Sequence, residues 1–140
     1  MKVAILIPST TRGREWKCIT ETYLFNSILS FVNKSNKSYN YKFYIGVDKD
    51  DPIYSVREQK EKIYSLCRTW GNVNIQFYPY EENIEKGHLS VMWNVLYKKA
   101  LEEHYDYYWS CGDDILYLDD GWLDDCIQGL KKNKNLGCAG

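Results

Sequence analysis

The stretch Tyr107-Tyr108-Trp109-Ser110-Cys111-Gly112-Asp113-Asp114-Ile115 governs how the rest of this chain is read. An aromatic run suited to a strand stops at a glycine and two adjacent carboxylates. Neighbouring carboxylates repel, and they are tolerated at a strand end when water, hydrogen-bond donors or a cation stabilises them. A hard divalent ion such as Mg²⁺ uses one or two protein carboxylates, keeps several waters and takes further ligands from phosphates. The pattern therefore points to a metal–diphosphate site at the carboxyl end of a strand. An Asp-Asp pair in isolation would read as a solvated acidic turn, so the flanking sequence has to decide between the two.

Working outward, residues 105–110 form a strand preceded by a helical pattern over 89–103, where Leu89, Met92, Trp93, Leu96 and Ala100 make an apolar stripe. Downstream, Asp119-Asp120-Gly121 opens another helix with Asp120 as its N-cap and Trp122, Cys126 and Leu130 facing inward. Residues 136–140 read as the start of a further strand. Toward the N-terminus, 73–77 alternates apolar and polar as a half-buried strand does, and 78–86 is a loop. A helix over 56–70 turns Val56, Ile63, Leu66 and Cys67 inward. Residues 42–47 are a strand, and 33–40 a polar loop. The spacing of Cys18, Phe25, Ile28, Leu29 and Val32 predicts a helix over 15–32. The continuous apolar run Val3-Ala4-Ile5-Leu6-Ile7, closed by Pro8, suits a central strand covered on both faces. Strand and helix alternate four times, which predicts one α/β domain over 1–140 with a largely parallel sheet.

Composition narrows the function classes. The net charge is −1 and the Lys and Arg residues are scattered, so neither nucleic acid nor an anionic membrane is an expected partner. No apolar run approaches the length of a membrane span. The five cysteines are odd in number and form no C-x-x-C pair, which argues for reduced thiols and a cytoplasmic location.

In open parallel sheets ligands bind beyond the carboxyl ends of the strands. Three of the four expected strands end in polar sequence: Ser9-Thr10-Thr11-Arg12, Asp48-Lys49-Asp50-Asp51 and Cys111-Gly112-Asp113-Asp114. Their convergence on one rim is what lifts the acidic pair above a solvated turn. Ser9, Thr10 and Arg12 are donors suited to a nucleotide, and Arg12 also suits phosphate or base stacking. Asp48 is an acceptor for a base N–H or a ribose hydroxyl. Asp50 and Asp51, before Pro52, read as turn aspartates capping their own backbone. Asp113 and Asp114 are the metal candidates. Lys86, Gly87 and His88 precede a helix whose N-terminus favours an anion, with His88 a helix-start residue and Gly87 allowing close backbone approach. Asn94 is a polar residue suited to hydrogen-bonding a loop or substrate if it turns inward, whereas Met92 and Trp93 are core. Neither G-x-G-x-x-G nor G-x-x-x-x-G-K-[ST] is present, so neither a dinucleotide fingerprint nor a P-loop is supported.

Taken in order, these segments resemble the nucleotide-sugar-binding half of a GT-A glycosyltransferase of the family-2-like group. Residues 3–12 are similar to that family's first strand and nucleotide-contacting loop, and Ile45-Gly46-Val47-Asp48 to its second strand with its base-contacting acid. Gly87 followed by Asn94 resembles the start of the helix before the metal motif. Trp109-Ser110-Cys111-Gly112-Asp113-Asp114 falls where the family has D-x-D-D, and Gly121-Trp122-Leu123 resembles the segment after it. The resemblance implies a Rossmann-like, three-layer α/β/α fold and a nucleoside diphosphate sugar donor, with UDP-sugar favoured. It also implies Mn²⁺ or Mg²⁺ held by Asp113 with Asp114, and transfer to a saccharide, lipid or protein acceptor. Donor contacts carry over to Ser9, Thr10, Arg12, Asp48, Gly87, Asn94 and Asp113. Two departures stand out. Cys111 replaces the first acid of D-x-D, and the family's acceptor half and catalytic base would lie beyond Gly140. The chain is thus expected to be the donor portion of a longer enzyme, inefficient in transfer by itself. A non-catalytic nucleotide-binding or interaction module of the same fold is the main alternative. A nucleotidyltransferase is disfavoured by the missing Gly-rich, Lys-containing phosphate loop.

Overall fold

The computed structural model of the chain describes residues 1–82, 84–85, 87–135 and 137–139. Its centre is β1 (Lys2–Pro8), whose residues from Val3 to Pro8 are all buried. Such a run has no polar face to give to water, so it needs helices on both sides. Alternation divides it. Val3, Ile5 and Ile7 enter one cluster, and Ala4 and Leu6 enter another. Full burial of each Ile or Leu contributes about 1.5–3 kcal/mol relative to exposure.

The elements run β1, α1 (Tyr23–Lys34), β2 (Asn40–Val47), α2 (Arg57–Trp70), β3 (Val73–Pro79), α3 (Leu89–Leu101), β4 (Tyr107–Ser110) and α4 (Trp122–Lys132). The four strands are parallel and lie in the order β3-β2-β1-β4. The domain is thus α/β with an all-parallel sheet, compatible with a Rossmann-like fold. Helices α1, α2 and α4 supply Ile28, Phe31, Ile63, Leu123 and Ile127 to the cluster on one face. Helix α3 supplies Leu96 and Ala100 to the other. Successive strands step one way from β1 to β3. The chain then crosses back over the opposite face through α3, so that β4 pairs with β1. A right-handed crossover that reverses direction must use the opposite face. The reversal lies between β1 and β4, the position where open α/β sheets leave a crevice.

Several boundaries differ from the sequence expectation. The helix expected over 15–32 begins at Tyr23, after a short 3₁₀ turn at Ile19–Glu21. The Glu21 carboxylate accepts from the backbone N–H of Lys17 (2.7 Å) and Cys18 (3.0 Å). Thr22 is extended and caps α1 by accepting from Phe25 N–H. These local side-chain bonds outcompete the helix over the preceding turn. The buried face of α1 is Leu24, Ser27, Ile28, Phe31 and Val32, while Phe25 and Leu29 are only half-buried. Strand β3 runs on through Tyr78 and Pro79, which the sequence placed in a loop. Gly121, not Asp120, occupies the N-cap of α4, and that helix buries Leu123 and Ile127 in place of Cys126 and Leu130. Val56 is an exposed N-cap, not an inward residue of α2. Residues 137–139 are not a strand, and Leu136 and Gly140 lie outside the described residues.

Candidate functional site at the carboxyl rim of the sheet

Because β2, β1 and β4 are neighbours, their three carboxyl ends meet. Ser9 continues the ladder from β1 by donating its N–H to Gly46 O (2.9 Å), and Cys111 does so from β4 by donating to Leu6 O (3.2 Å). A cavity of about 640 Å³ opens there, lined by Pro8, Ser9, Thr10, Arg12, Asp48, Asp50, Tyr80, Ile84, Gly87, Leu89, Met92 and Asp113. Pro8 and Gly46 follow Leu6 and Tyr44 in the alternation of their strands, so the cavity lies on the α3 face of the sheet. This face carries one helix across β1 and β2, and the N-terminus of α3 forms the far wall. A second hollow, about 740 Å³, runs along β4 and α4 past Trp109, Cys126 and Leu130. None of the candidate donor and metal residues from the sequence lines it, so the smaller cavity is the candidate site.

Six of the eight expected donor and metal residues line the cavity: Ser9, Thr10, Arg12, Asp48, Gly87 and Asp113. Asn94 and Asp114 do not. Both are exposed, Asn94 on α3 and Asp114 one residue beyond the rim. Lys86 lies outside the described residues. Gly87 has φ +95°, a conformation that favours glycine and turns the chain into α3. His88 occupies the N-cap position, its backbone carbonyl accepting from Met92 N–H while its side chain caps nothing.

The electrostatics divide the rim in two. On the β2 side, the Arg12 guanidinium donates to Asp48 (3.3 Å) and pairs with Asp50. All three groups have solvent access, and the bond from Arg12 holds the Asp50 carboxyl below its ordinary range. Asp50 also contacts its own backbone N–H, as the turn reading expected, but its larger contact is the one with Arg12. Asp51 meets the turn reading in full: it accepts from Ile53 N–H (3.0 Å) and Tyr54 N–H (2.9 Å). It also accepts from Thr11 N–H (2.8 Å) and Thr11 Oγ1 (2.6 Å), tying the β1 loop to the β2 loop. On the β4 side, Asp113 Oδ2 accepts from Ser9 Oγ at 2.6 Å, and Ser9 Oγ lies 2.9 Å from the Tyr54 hydroxyl. Burial raises the Asp113 carboxyl above its usual range, against the pull of the Ser9 hydrogen bond, and the charge of Asp114 adds to the rise.

Cys111 takes no part in the rim. Its thiol is buried beside Tyr117 and is pushed up to about 11, chiefly by burial, so it is protonated at neutral pH and unsuited to a hard cation. Among the described residues no three His, Cys, Asp or Glu side chains gather as a metal cage. The donor set at the rim fits an ion that uses one protein carboxylate, Asp113, and draws its other ligands from phosphate and water.

Tyr80 was not singled out in the sequence. It directly follows β3, the one strand end that looked chemically plain, and its N–H donates to Val47 O (3.0 Å). Its phenol rests over Gly46, where any side chain would collide with the hydroxyl. That hydroxyl is buried and has no hydrogen-bond partner among the described residues. An unpaired buried hydroxyl costs about 1–3 kcal/mol and calls for an explanation. Leu89, 48% exposed, and Met92, read from sequence as inward and core residues, instead form the apolar wall. Tyr54 and Thr11 were also missed. A tyrosine three residues after an acid, or a threonine in a polar loop, carries no signal until its partners are known.

No protein-family model and no curated protein sequence matches the chain. Its class therefore rests on its own geometry: a parallel α/β domain with a cavity at the switch point, polar at the strand ends and apolar on the α3 side. Among the described residues, no helix is long and apolar enough to cross a membrane.

Proposed function

We propose that the rim cavity binds a nucleoside diphosphate sugar, UDP-sugar being favoured, as the donor site of a glycosyltransferase. The observation that carries this reading is the meeting of three polar strand ends around one cavity whose opposite wall is apolar. In this assignment Asp48 accepts an N–H of the base, and Tyr80 supplies a hydroxyl to a polar atom of the ligand. Arg12 and Thr10 donate to ribose or phosphate, and the N-terminus of α3 faces the diphosphate. Asp113 contacts a Mn²⁺ or Mg²⁺ ion, which when bound would neutralise charge on the departing diphosphate. The chain's own residues hold the donor and exclude water from its apolar side.

A second reading draws on Cys111. With a buried neutral thiol where the first acid of D-x-D would stand, the domain is a nucleotide-binding or interaction module without metal chemistry. Calorimetric titration with UDP-, GDP- and CDP-sugars, with and without Mn²⁺, separates the two. Metal-dependent binding of one of them supports the donor site. Binding indifferent to metal supports a nucleotide-binding module, and no nucleotide binding at all supports an interaction module.

A further inference from the structure

We propose that Tyr80 decides which bases the rim cavity accepts: its hydroxyl donates to the exocyclic carbonyl of an oxo base, uracil O4 or guanine O6, beside the ring N–H that Asp48 accepts. This rests on the reading of the cavity as a nucleotide site. Packing does not account for the Tyr80 hydroxyl. The residue is 4% exposed, and the hydroxyl is buried without a hydrogen-bond partner among the described residues. A phenylalanine would fill the same space without leaving a donor unpaired.

Geometry sets that hydroxyl at the floor of the cavity. A side chain at Gly46 would collide with it, so the tip of the phenol lies directly over β2. Gly46 is the register partner of Pro8, which lines the cavity and has no N–H to offer. The Gly46 carbonyl already accepts from Ser9 N–H. Glycine inside a strand gives up a buried side chain and marks a close approach. Here the space goes to a phenol with an unclaimed proton. Asp48 lines the same cavity, one residue past the end of β2. Burial, and after it the Asp48 charge, raises the phenol well above its ordinary range, so Tyr80 stays neutral and keeps its proton.

An acceptor and a donor facing one cavity match a particular base edge. Asp48 takes the Arg12 Nε–H at 3.3 Å, a long contact at the solvent edge, and a carboxylate has several acceptor positions. Uracil presents N3–H beside O4, and guanine presents N1–H beside O6. Cytosine and adenine reverse both partners. Their ring nitrogen turns a lone pair to the Asp48 charge, and an amine replaces the carbonyl. O4 is the expected partner in uracil because O2 adjoins the nitrogen that carries the ribose, whereas O4 lies on the far edge of the ring. A site whose buried donor is left unpaired rejects the wrong edge more strongly than apolar contact does. Tyr80 touches the base and no reacting atom, so it acts on affinity and specificity.

The test is calorimetry in Mn²⁺ with UDP, CDP and 4-thio-UDP, in which sulfur, a weak acceptor, replaces O4. Tyr80→Phe is expected to weaken UDP about threefold and to leave CDP unchanged, narrowing the preference between them by the same factor. In the wild type 4-thio-UDP should bind about threefold more weakly than UDP, and in Tyr80→Phe the two should bind alike. GDP and 6-thio-GDP make the same comparison for guanine. A purely structural role would shift melting temperature and move every nucleotide by one factor. Equal losses for UDP and CDP, or additive losses from the substitution and the sulfur, overturn the base contact and leave the nucleotide site standing. A wild type that prefers CDP or ADP overturns it as well. Should Tyr80→Phe not fold, equal wild-type affinities for UDP and 4-thio-UDP, with GDP and 6-thio-GDP also alike, overturn it without the variant. A wild type that binds no nucleotide removes the donor site and the base contact together.

Discussion

The acidic ends of β2 and β4 use the same residue in opposite ways. Asp51 is wholly buried and accepts four hydrogen bonds from Thr11, Ile53 and Tyr54. Its charge is spent on the fold. Asp113, one strand beyond β1, takes its one close side-chain hydrogen bond among the described residues from Ser9, with lesser contacts to the backbone of Thr10 and its own, and faces a cavity, with burial opposing its ionised form. A carboxylate surrounded by donors builds structure, and one left short of donors has affinity to offer a ligand. Between them stands Asp50, adjacent in sequence to Asp51 but exposed and paired with Arg12. Strand-end acids cannot be sorted by residue type. They are sorted by how many donors the fold brings within reach.

This contrast can be broken at several points. The largest effect is expected at Asp51. Asp51→Ala leaves three buried backbone N–H groups without their acceptor and should destabilise the domain by about 3 kcal/mol or more in urea unfolding. A loss below about 1 kcal/mol would end the structural assignment of this residue. Next comes Asp113→Asn, which keeps shape and removes charge. Metal-dependent nucleotide binding should fall at least tenfold, about 1.4 kcal/mol. Stability should move the other way. A carboxyl whose pKa is raised on folding binds more protons when folded, so stability falls as pH climbs from the ordinary carboxylate range to the raised value. Asp113→Asn removes that penalty. Its melting temperature should exceed the wild type's at neutral pH, and the gain should vanish in acid. A variant less stable than wild type at pH 7 would show that Asp113 belongs with Asp51.

A smaller effect is expected at Tyr80, the neutral counterpart of Asp113. Tyr80→Phe removes a buried hydroxyl without a partner and should stabilise the domain by about 1 kcal/mol while weakening nucleotide binding about threefold. Gain of stability with unaltered binding would place Tyr80 outside the ligand site. Asp50→Asn marks the lower end. The pair with Arg12 is exposed, and thermal unfolding in moderate salt should show no measurable shift. A clear drop would mean that Arg12 braces the rim as Asp51 does.

The amino-acid sequence determined a good deal alone. The apolar run from Val3 to Pro8 can be satisfied only between two helical layers, and the fourfold alternation of strand and helix specifies a parallel α/β domain. The polar ends after β1, β2 and β4 are legible because strand polarity changes abruptly there, and five of the six residues singled out at them (Ser9, Thr10, Arg12, Asp48 and Asp113, but not Asp114) line one cavity. Asp51 before Pro52 was also readable as a turn residue, since its Ile53 and Tyr54 partners are local. What the tertiary structure alone decided is every relation across the sheet. Ser9 and Asp113 are 104 residues apart, and they meet because the crossover through α3 returns β4 to the side of β1. The fate of Asp50 against Asp51, the burial of Cys111 away from the rim, and the unpaired Tyr80 hydroxyl above Gly46 depend on strand order and on which face each helix covers. Periodicity assigns a residue to a face of its own element. Which donors then surround it is set by packing between elements distant in sequence.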